Sequence, residues 1–242
     1  MERLVGSEMC IRDRFMASSV LGIAAYGMTV FLPESLSHAR KVSWSDLNVF
    51  RGGSVERAAW PSSLFLLPVA LAFGVFLTVT PDLVEGLGFK YKGSFNTVVV
   101  AASIFARLIA GKASDRYGRV ELLMVGAVML SVGMTLFFNA TNVPMLLAAG
   151  VIYGLSIGIN MPAIFAWTVD LAPAGRAATS LSTMLMALEV GIGVGAYVSG
   201  TWYAMDSQVL LSLYGGCALL GLAGFAFLIF WQRLHKKGRF VS

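Results

Sequence analysis

Long apolar stretches separated by short charged or turn segments dominate the chain. Aspartate, glutamate, lysine and arginine are absent from four stretches, residues 15–33, 58–81, 122–169 and 207–232. A membrane-spanning helix needs about 20 consecutive apolar residues, and the third stretch holds two such lengths on either side of a polar turn at 139–144 that ends in Pro. Cutting the chain at charges and turns predicts seven spans: 15–32, 62–80, 93–112, 121–139, 143–168, 178–200 and 207–232.

The predicted spans should be helices, because lipid offers no hydrogen-bonding partner to an exposed backbone and the sequence lacks the alternation of a membrane β-barrel. Composition agrees, since 57% of the 242 residues are hydrophobic and only 13% are charged, against about 25% charged in an ordinary soluble domain. We therefore predict an all-α integral membrane protein and exclude a soluble enzyme.

The residue pattern does not support other kinds of site. Cys10 and Cys217 lie far apart, which argues against a disulfide framework or a cysteine-rich metal site. His38 and His235 are isolated and lie outside the predicted spans, so the sequence predicts no metal, no cofactor and no catalytic set. The net charge of +5 comes from basic residues between and after the spans, where membrane orientation accounts for them without nucleic acid.

The basic residues also predict the orientation. Thirteen of the eighteen lysines and arginines lie in the segments 34–61, 107–119 and 170–176 and in the C-terminal tail. The positive-inside rule therefore places these segments, including the C-terminus, on the cytoplasmic side of a cell (inner) membrane. Residues 1–14 carry three arginines on the opposite side and are interpreted as a segment foreign to the protein. The alternative is a genuine cytoplasmic N-terminus with an even number of spans.

The chain is thus predicted to have five parts. A connector at 34–61 is long for a link between helices and separates the first span from six evenly spaced ones. The parts are the non-native segment 1–14, a first transmembrane helix 15–33, the cytoplasmic connector 34–61, a six-helix bundle 62–232 and a cytoplasmic tail 233–242.

One loop carries a recognisable motif, Arg107-Leu-Ile-Ala-Gly111-Lys-Ala-Ser-Asp115-Arg-Tyr-Gly118-Arg119. It resembles the G-x-x-x-D-R-x-G-R signature of the major facilitator superfamily, in the form found between the eighth and ninth helices of those transporters. The spacing of the helices from residue 15 to the C-terminus also resembles that of this family. It implies that the first span is similar to helix six and the others to helices seven to twelve, which makes the chain the C-terminal half of a twelve-helix fold plus one helix.

The charges around this motif are candidates for a conformational latch. Gly111 would allow close helix approach, Gly118 a tight turn, and Asp115 could accept hydrogen bonds at a helix N-terminus. Arginines of the loop could pair with an acid in the loop two spans later, and breaking such a cluster would shift the balance of inward-open and outward-open states. The alternative is that these charges only enforce topology and packing. The candidate latch residues are Arg107, Gly111, Asp115, Arg116, Gly118, Arg119, Asp170 and Arg176.

Polar residues inside the spans are candidates for lining a solute cavity. Glu189 lies about mid-depth in the sixth span, where a lone charge costs about 2.5–3.5 kcal/mol on insertion scales. It is predicted to carry a proton or contact a cation; the alternative is a protonated side chain that packs against a neighbouring helix. Two stripes on helices that border the cavity in the family add further candidates, with interhelical hydrogen bonding as the alternative. They are Tyr153, Ser156 and Asn160 in the fifth span, and Asn96 and Ser103 with Arg107 in the third.

Glycines at a four-residue spacing predict close helix packing. One run is Gly150, Gly154 and Gly158, and the other includes Gly191 and Gly195. A dinucleotide-binding loop is excluded for the second run, because it lies inside a membrane span with no preceding strand.

The resemblance implies a secondary active transporter that moves a small solute by alternating access, coupled to protons as an antiporter or symporter. Its partners would be the solute, protons, the bilayer, and either the missing N-terminal half or a second copy of the chain. Two alternatives stay open: a non-transporting truncated remnant, and a half-transporter that acts as a homodimer. A membrane-embedded enzyme is not supported, because no catalytic set lies at a span end.

Overall fold

The computed structural model describes residues 2–31, 55–88, 92–205 and 209–238, and all their regular structure is helical. The chain divides into two units, residues 1–47 and 48–242. The first contains helix α1 (Glu2–Val30). The second contains a short 3-10 helix (Arg57–Ala59) followed by α2 (Trp60–Gly86), α3 (Lys92–Tyr117), α4 (Arg119–Phe138), α5 (Val143–Leu171), α6 (Ala177–Met205) and α7 (Val209–Gly238). The all-α prediction is confirmed.

Among the described residues, six helices are long and apolar enough to cross a membrane, and all six belong to the second unit. The first predicted span corresponds to a shorter apolar stretch, Phe15–Val30. Helix α1 continues through the boundary expected after residue 14, and α7 continues to Gly238, past the expected start of the tail. The connector predicted at 34–61 lies outside the described residues up to position 54.

The six helices of the second unit pack side by side in the spatial order α3, α5, α4, α7, α2, α6. Helices α3 and α6 therefore stand at the two ends of this series, with α2 and α5 between them and only minor contacts closing the gap. The end helices are the least buried of the six. Their exposed faces are largely apolar, with Ile104 and Leu108 on α3 and Val190 and Tyr197 on α6, and they also carry Arg107 and Glu189.

Glycines allow two of these helix pairs to approach closely, as their spacing predicts. A Cβ atom at Gly154 or Gly158 of α5 would overlap the backbone carbonyl oxygens of Val99 or Ser103 on α3. On α6, a Cβ at Gly191 would come within 2.8 Å of the carbonyl oxygen of a residue on α2. Only glycine fits at these contacts, so the α3/α5 and α2/α6 interfaces are fixed by small residues.

Candidate functional site

The α3–α4 turn positions the charged part of the motif. Helix α3 ends at Tyr117 and α4 begins at Arg119, which leaves a single residue to reverse the chain. That residue is Gly118, whose φ of 103° lies in the region that L side chains rarely adopt. The predicted tight turn is present, and it brings the end of α3 beside the first residue of α4.

Arg119 is the centre of a cluster at this end of the bundle. Its Nη1 donates to Asp115 Oδ1 at 2.8 Å and to Ser114 Oγ at 2.9 Å, and its Nε donates to Asp170 Oδ2 at 3.1 Å. Asp170 is near the end of α5, so one guanidinium joins three helices. We call Ser114, Asp115, Arg119 and Asp170 the Arg119 cluster.

Other residues of the predicted latch lie outside this cluster. Arg116 is exposed and its guanidinium lies 5.4 Å from the ring centroid of Tyr117. A Cβ at Gly111 would meet nothing within 4 Å in the described part of the chain, so the expected close helix approach at this glycine is not formed there. Asp115 accepts its bond from the Arg119 side chain and has no such bond from a helix N-terminus among the described residues.

Arg176 is part of a second ion pair rather than of the Arg119 cluster. Its Nε lies 2.9 Å from Glu56 Oε2, with the carboxylate side chain only 10% exposed. The Glu56 backbone N–H donates to Thr183 Oγ1 on α6 at 2.9 Å. The pair therefore ties the start of α2 to α6, whereas Arg119 ties α3 and α4 to α5.

Glu56 is a site residue that was not predicted from the sequence. It stands just before the first turn leading into α2, and its Oε1 accepts a weak bond from the Ala58 N–H at 3.4 Å. An acid at the start of a helix next to Trp60-Pro61 is a capping signal. Nothing in the sequence pairs it with Arg176, 120 residues later, because that contact depends on how α2 packs against α6.

Arg107 lies far from the Arg119 cluster, at membrane depth. It precedes the end of α3 at Tyr117 by ten residues, or about 15 Å of helix. Arg107 lines two neighbouring cavities of about 350 and 190 Å³, which share Phe73 of α2 and Ile157 of α5. We call these together the Arg107 cavity.

The Arg107 cavity lies among α2, α3, α5 and α6, with Leu130 of α4 lining its smaller part. Asn96 and Ser103 of α3 line its larger part, beside apolar residues of α2 and α5. Leu188 and Ile192 of α6 line its smaller part, on the side away from α3. The α3 stripe predicted from the sequence therefore faces a cavity as a set, together with Arg107.

The polar stripe on α5 divides between two surroundings. Tyr153 lines the smaller cavity, and its ring packs on Phe76 with centroids 4.4 Å apart. Ser156 instead donates to the Gly126 carbonyl on α4 at 2.8 Å, and Asn160 Nδ2 donates to Ser156 Oγ at 3.2 Å. A Cβ at Gly126 would come within 2.6 Å of the Asn160 amide carbon. Ser156 and Asn160 thus serve the α4/α5 interface, which is the alternative considered for them.

Glu189 is exposed in the middle of α6. Its neighbour Leu188 lines the Arg107 cavity, but Glu189 is not part of the described lining. No hydrogen bond or ion pair joins Glu189 to another of the described residues. Gly193, one turn further along, would meet nothing within 4 Å if it carried a Cβ, so this face of α6 is open in the described unit.

Comparison with known families identifies the family to which the chain belongs. The family model of the Major Facilitator Superfamily matches residues 15–242. The chain belongs to the major facilitator superfamily. Members of this superfamily are membrane transporters of small molecules, in agreement with the predicted family and with the prediction that the chain is not an enzyme.

Curated relatives point to one part of the superfamily. The quinolone resistance protein NorA of Staphylococcus aureus (strain Mu50 / ATCC 700699) is 26% identical over 156 residues, which are 63% of this chain and 40% of that protein. The multidrug resistance protein 1 of Bacillus subtilis (strain 168) is 27% identical over 154 residues, 62% of this chain and 39% of that protein. The matched regions therefore span about two fifths of the length of these relatives.

Proposed function

We propose that this major facilitator chain is the C-terminal bundle of a secondary active transporter, which carries a small organic solute by alternating access. The observation that carries the proposal is the Arg107 cavity, which lies at membrane depth between the two end helices of a six-helix unit. A cavity at that depth in a bundle with an open side is what a rocking transporter requires. The family signature in the α3–α4 turn supports the same function.

The solute is an amphiphilic drug-like compound, and the direction is export. Two features support this class. The named relatives are resistance proteins for quinolones and for multiple drugs, and the cavity walls are mainly apolar and aromatic, including Phe73 and Phe76. Apolar walls with a few polar groups are the usual composition of a site for small organic ligands.

The Arg119 cluster acts as the latch of the transport cycle. Its charged members are exposed or half-exposed, with side-chain exposures of 31% for Arg119, 71% for Asp115 and 54% for Asp170, so the ion pairs cost little to break. Because one guanidinium holds three helices, its release would free α3 and α4 to move relative to α5. Such an element can bias two conformations that differ by a few kcal/mol.

Glu189 is proposed to couple transport to protons. The carboxyl group lies on the open face of α6, beside a residue that lines the cavity. An ionisable residue at membrane depth without a described partner is a default candidate for proton exchange.

The open faces of α3 and α6 are proposed to pack against a second bundle, which is an N-terminal half or another copy of this chain. Mass measurement of the purified chain in nanodiscs separates the two, since a homodimer predicts a protein mass twice 25.9 kDa. The basic segments support a bacterial inner-membrane location with the C-terminus in the cytoplasm.

Efflux from bacterial cells lacking their major multidrug pumps tests the proposed function. The cells are loaded in separate assays with the cation ethidium and the anion dansylglycine, energised, and followed by fluorescence with the wild-type chain, an Asp115→Asn variant and a Lys112→Gln control from the same loop. Wild type and the control should accelerate efflux of at least one probe above empty vector, a protonophore should abolish this efflux, and Asp115→Asn should slow it at equal membrane abundance. If the wild-type chain is abundant in the membrane and efflux of both probes equals that of the empty vector, the chain is a non-transporting remnant.

A further inference from the structure

We propose that the Arg107 cavity binds the carboxylate of an amphiphilic organic anion, with Arg107 holding the charged group and the cavity walls holding the apolar body. This inference rests on the proposed transport function, because it names the substrate class of that same cavity. The names of the relatives assign no role to this arginine.

Arg107 carries an uncompensated charge at membrane depth, where it is exposed on the open side of the six-helix unit. No hydrogen bond or ion pair joins it to another side chain among the described residues. No aspartate or glutamate is in the lining of either part of the cavity. Charges at this depth are rare and face a partner or a water-filled cavity, so the cavity is the place where a counter-charge is missing.

The shape of the Arg107 side chain indicates the missing group. A guanidinium presents two parallel N–H donors that match a carboxylate in a planar, two-bond arrangement. Ser103, about one helical turn from Arg107, and Asn96, about three turns away, line the same part of the cavity. The Ser103 hydroxyl can bond to the same polar end of a ligand, and the Asn96 amide can bond to a polar group further along it.

The apolar walls of the cavity indicate the rest of the ligand. Phe73, Phe76 and Ile157 form apolar walls beside Arg107 in the larger part, and Leu188 and Ile192 do so in the smaller part. A small inorganic anion would leave these walls unused. The two parts, about 350 and 190 Å³, are within the size range of sites for small organic ligands.

The test uses two fluorescent probes that differ only in charge at one end, dansylglycine and its neutral amide. The full chain is reconstituted in nanodiscs of phosphatidylcholine, and binding of each probe is titrated with empty discs subtracted. Wild type should bind the acid at least about tenfold more tightly than the amide, the size expected for charge-assisted hydrogen bonds. Arg107→Gln should remove this preference, Arg107→Lys should keep part of it, and the Lys112→Gln control should keep all of it.

Several outcomes would overturn the proposal. Equal binding of the acid and the amide by the wild-type chain would overturn it without any variant, so the test stands even if Arg107→Gln fails to fold. A preference for the acid that survives in a folded Arg107→Gln chain would also overturn it. Loss of the preference in discs containing phosphatidylglycerol would show that an anionic lipid, rather than a solute, occupies the site.

Failure of this inference differs from failure of the proposed function. Ethidium efflux without any preference for the acid probe would leave transport standing and remove the anion site. An Arg107-dependent preference in a chain that gives no efflux of either ethidium or dansylglycine would leave the anion site standing and remove transport by this chain.

Discussion

Two arginines twelve residues apart have opposite surroundings. Arg119 stands at the end of the bundle, half-exposed, and bonds to Ser114, Asp115 and Asp170. Arg107 stands about 15 Å from the end of α3, is exposed on the open side of the six-helix unit, and lines an apolar cavity without a described partner. Water at the end of the bundle makes the Arg119 charge inexpensive to hold and to release, whereas membrane depth makes the Arg107 charge expensive unless a ligand pairs with it. The same side chain therefore serves as a tie between helices in one place and as a candidate binding group in the other.

The largest expected effect comes from the α3/α5 interface that supports Arg107. In Gly154→Leu the new side chain would overlap the Val99 carbonyl and lie against Ala102. Overpacking of this kind costs about 1–3 kcal/mol or more, so the apparent Tm of the purified chain should fall by about 5–10 °C. Gly111→Leu is the matched control, since Gly111 lies between the two arginines with nothing within 4 Å of its Cβ position. Equal destabilisation by both changes would contradict the packing assigned to α5.

Removing the centre of the latch should be the next largest effect. Arg119→Gln releases Asp115 and Asp170 together, and if the cluster biases the transport cycle, the initial rate of ethidium efflux should fall about tenfold, the kinetic equivalent of about 1.4 kcal/mol. Thermal stability should change little, because the bonds are exposed. Arg116→Gln, which removes only the arginine stacked on Tyr117, should transport at the wild-type rate. A slow Arg116→Gln chain would show that the loop needs positive charge in general rather than the Arg119 cluster.

A substitution at Glu189 tests whether this second charge, which also lacks a described partner, is functional. Glu189→Gln should abolish the dependence of efflux on external pH while membrane abundance stays normal, because the exposed side chain has no described bond to lose. Ser182→Ala, on an exposed position of the same helix, is the control and should keep the pH dependence. If the Glu189→Gln chain retains the pH dependence of efflux, the carboxyl group serves packing against a neighbouring bundle instead.

The smallest effect should be the coupling between Arg119 and Asp170. The Asp170 side chain is 54% exposed, and exposed ion pairs contribute about 0.2–1 kcal/mol. A double-mutant cycle with Arg119→Gln and Asp170→Asn, measured by chemical unfolding in detergent, should give a coupling energy within that range. A coupling of several kcal/mol would mean that the pair is shielded from water by a segment packed over it.

Helix positions could be predicted closely from the sequence, and side-chain partners much less so. The spacing of charges placed α4 within about two residues at each end, and the four-residue glycine steps predicted the tight interfaces. The partners of the polar stripe on α5 were harder to predict, because Ser156 and Asn160 share a helical face with Tyr153 but pack toward Gly126 of α4. A helical face spans more than one neighbour, so periodicity alone does not say which neighbour a polar group bonds.

In the motif, too, local structure could be predicted better than side-chain partners. Its residues predicted the turn at Gly118 and the pairing of Arg119 with Asp170. The motif alone did not separate Arg107 from the latch charges, although the polar stripe on α3 with Asn96 and Ser103 had also made it a cavity candidate. Nor did the motif reveal Glu56, whose contact with Arg176 is formed only when α2 packs against α6.

The sequence by itself determined that the chain is an all-helical member of a membrane transporter family, since span length, charge spacing and the α3–α4 motif are local properties of the chain. Only the tertiary structure decided that α3 and α6 stand at the ends of the bundle, that the latch charges divide into two clusters, and that Arg107 lines a cavity. The physical reason is that hydrophobicity fixes which segments enter the membrane, whereas side-chain partners depend on which helices lie side by side. That choice is made by packing between residues far apart in the sequence.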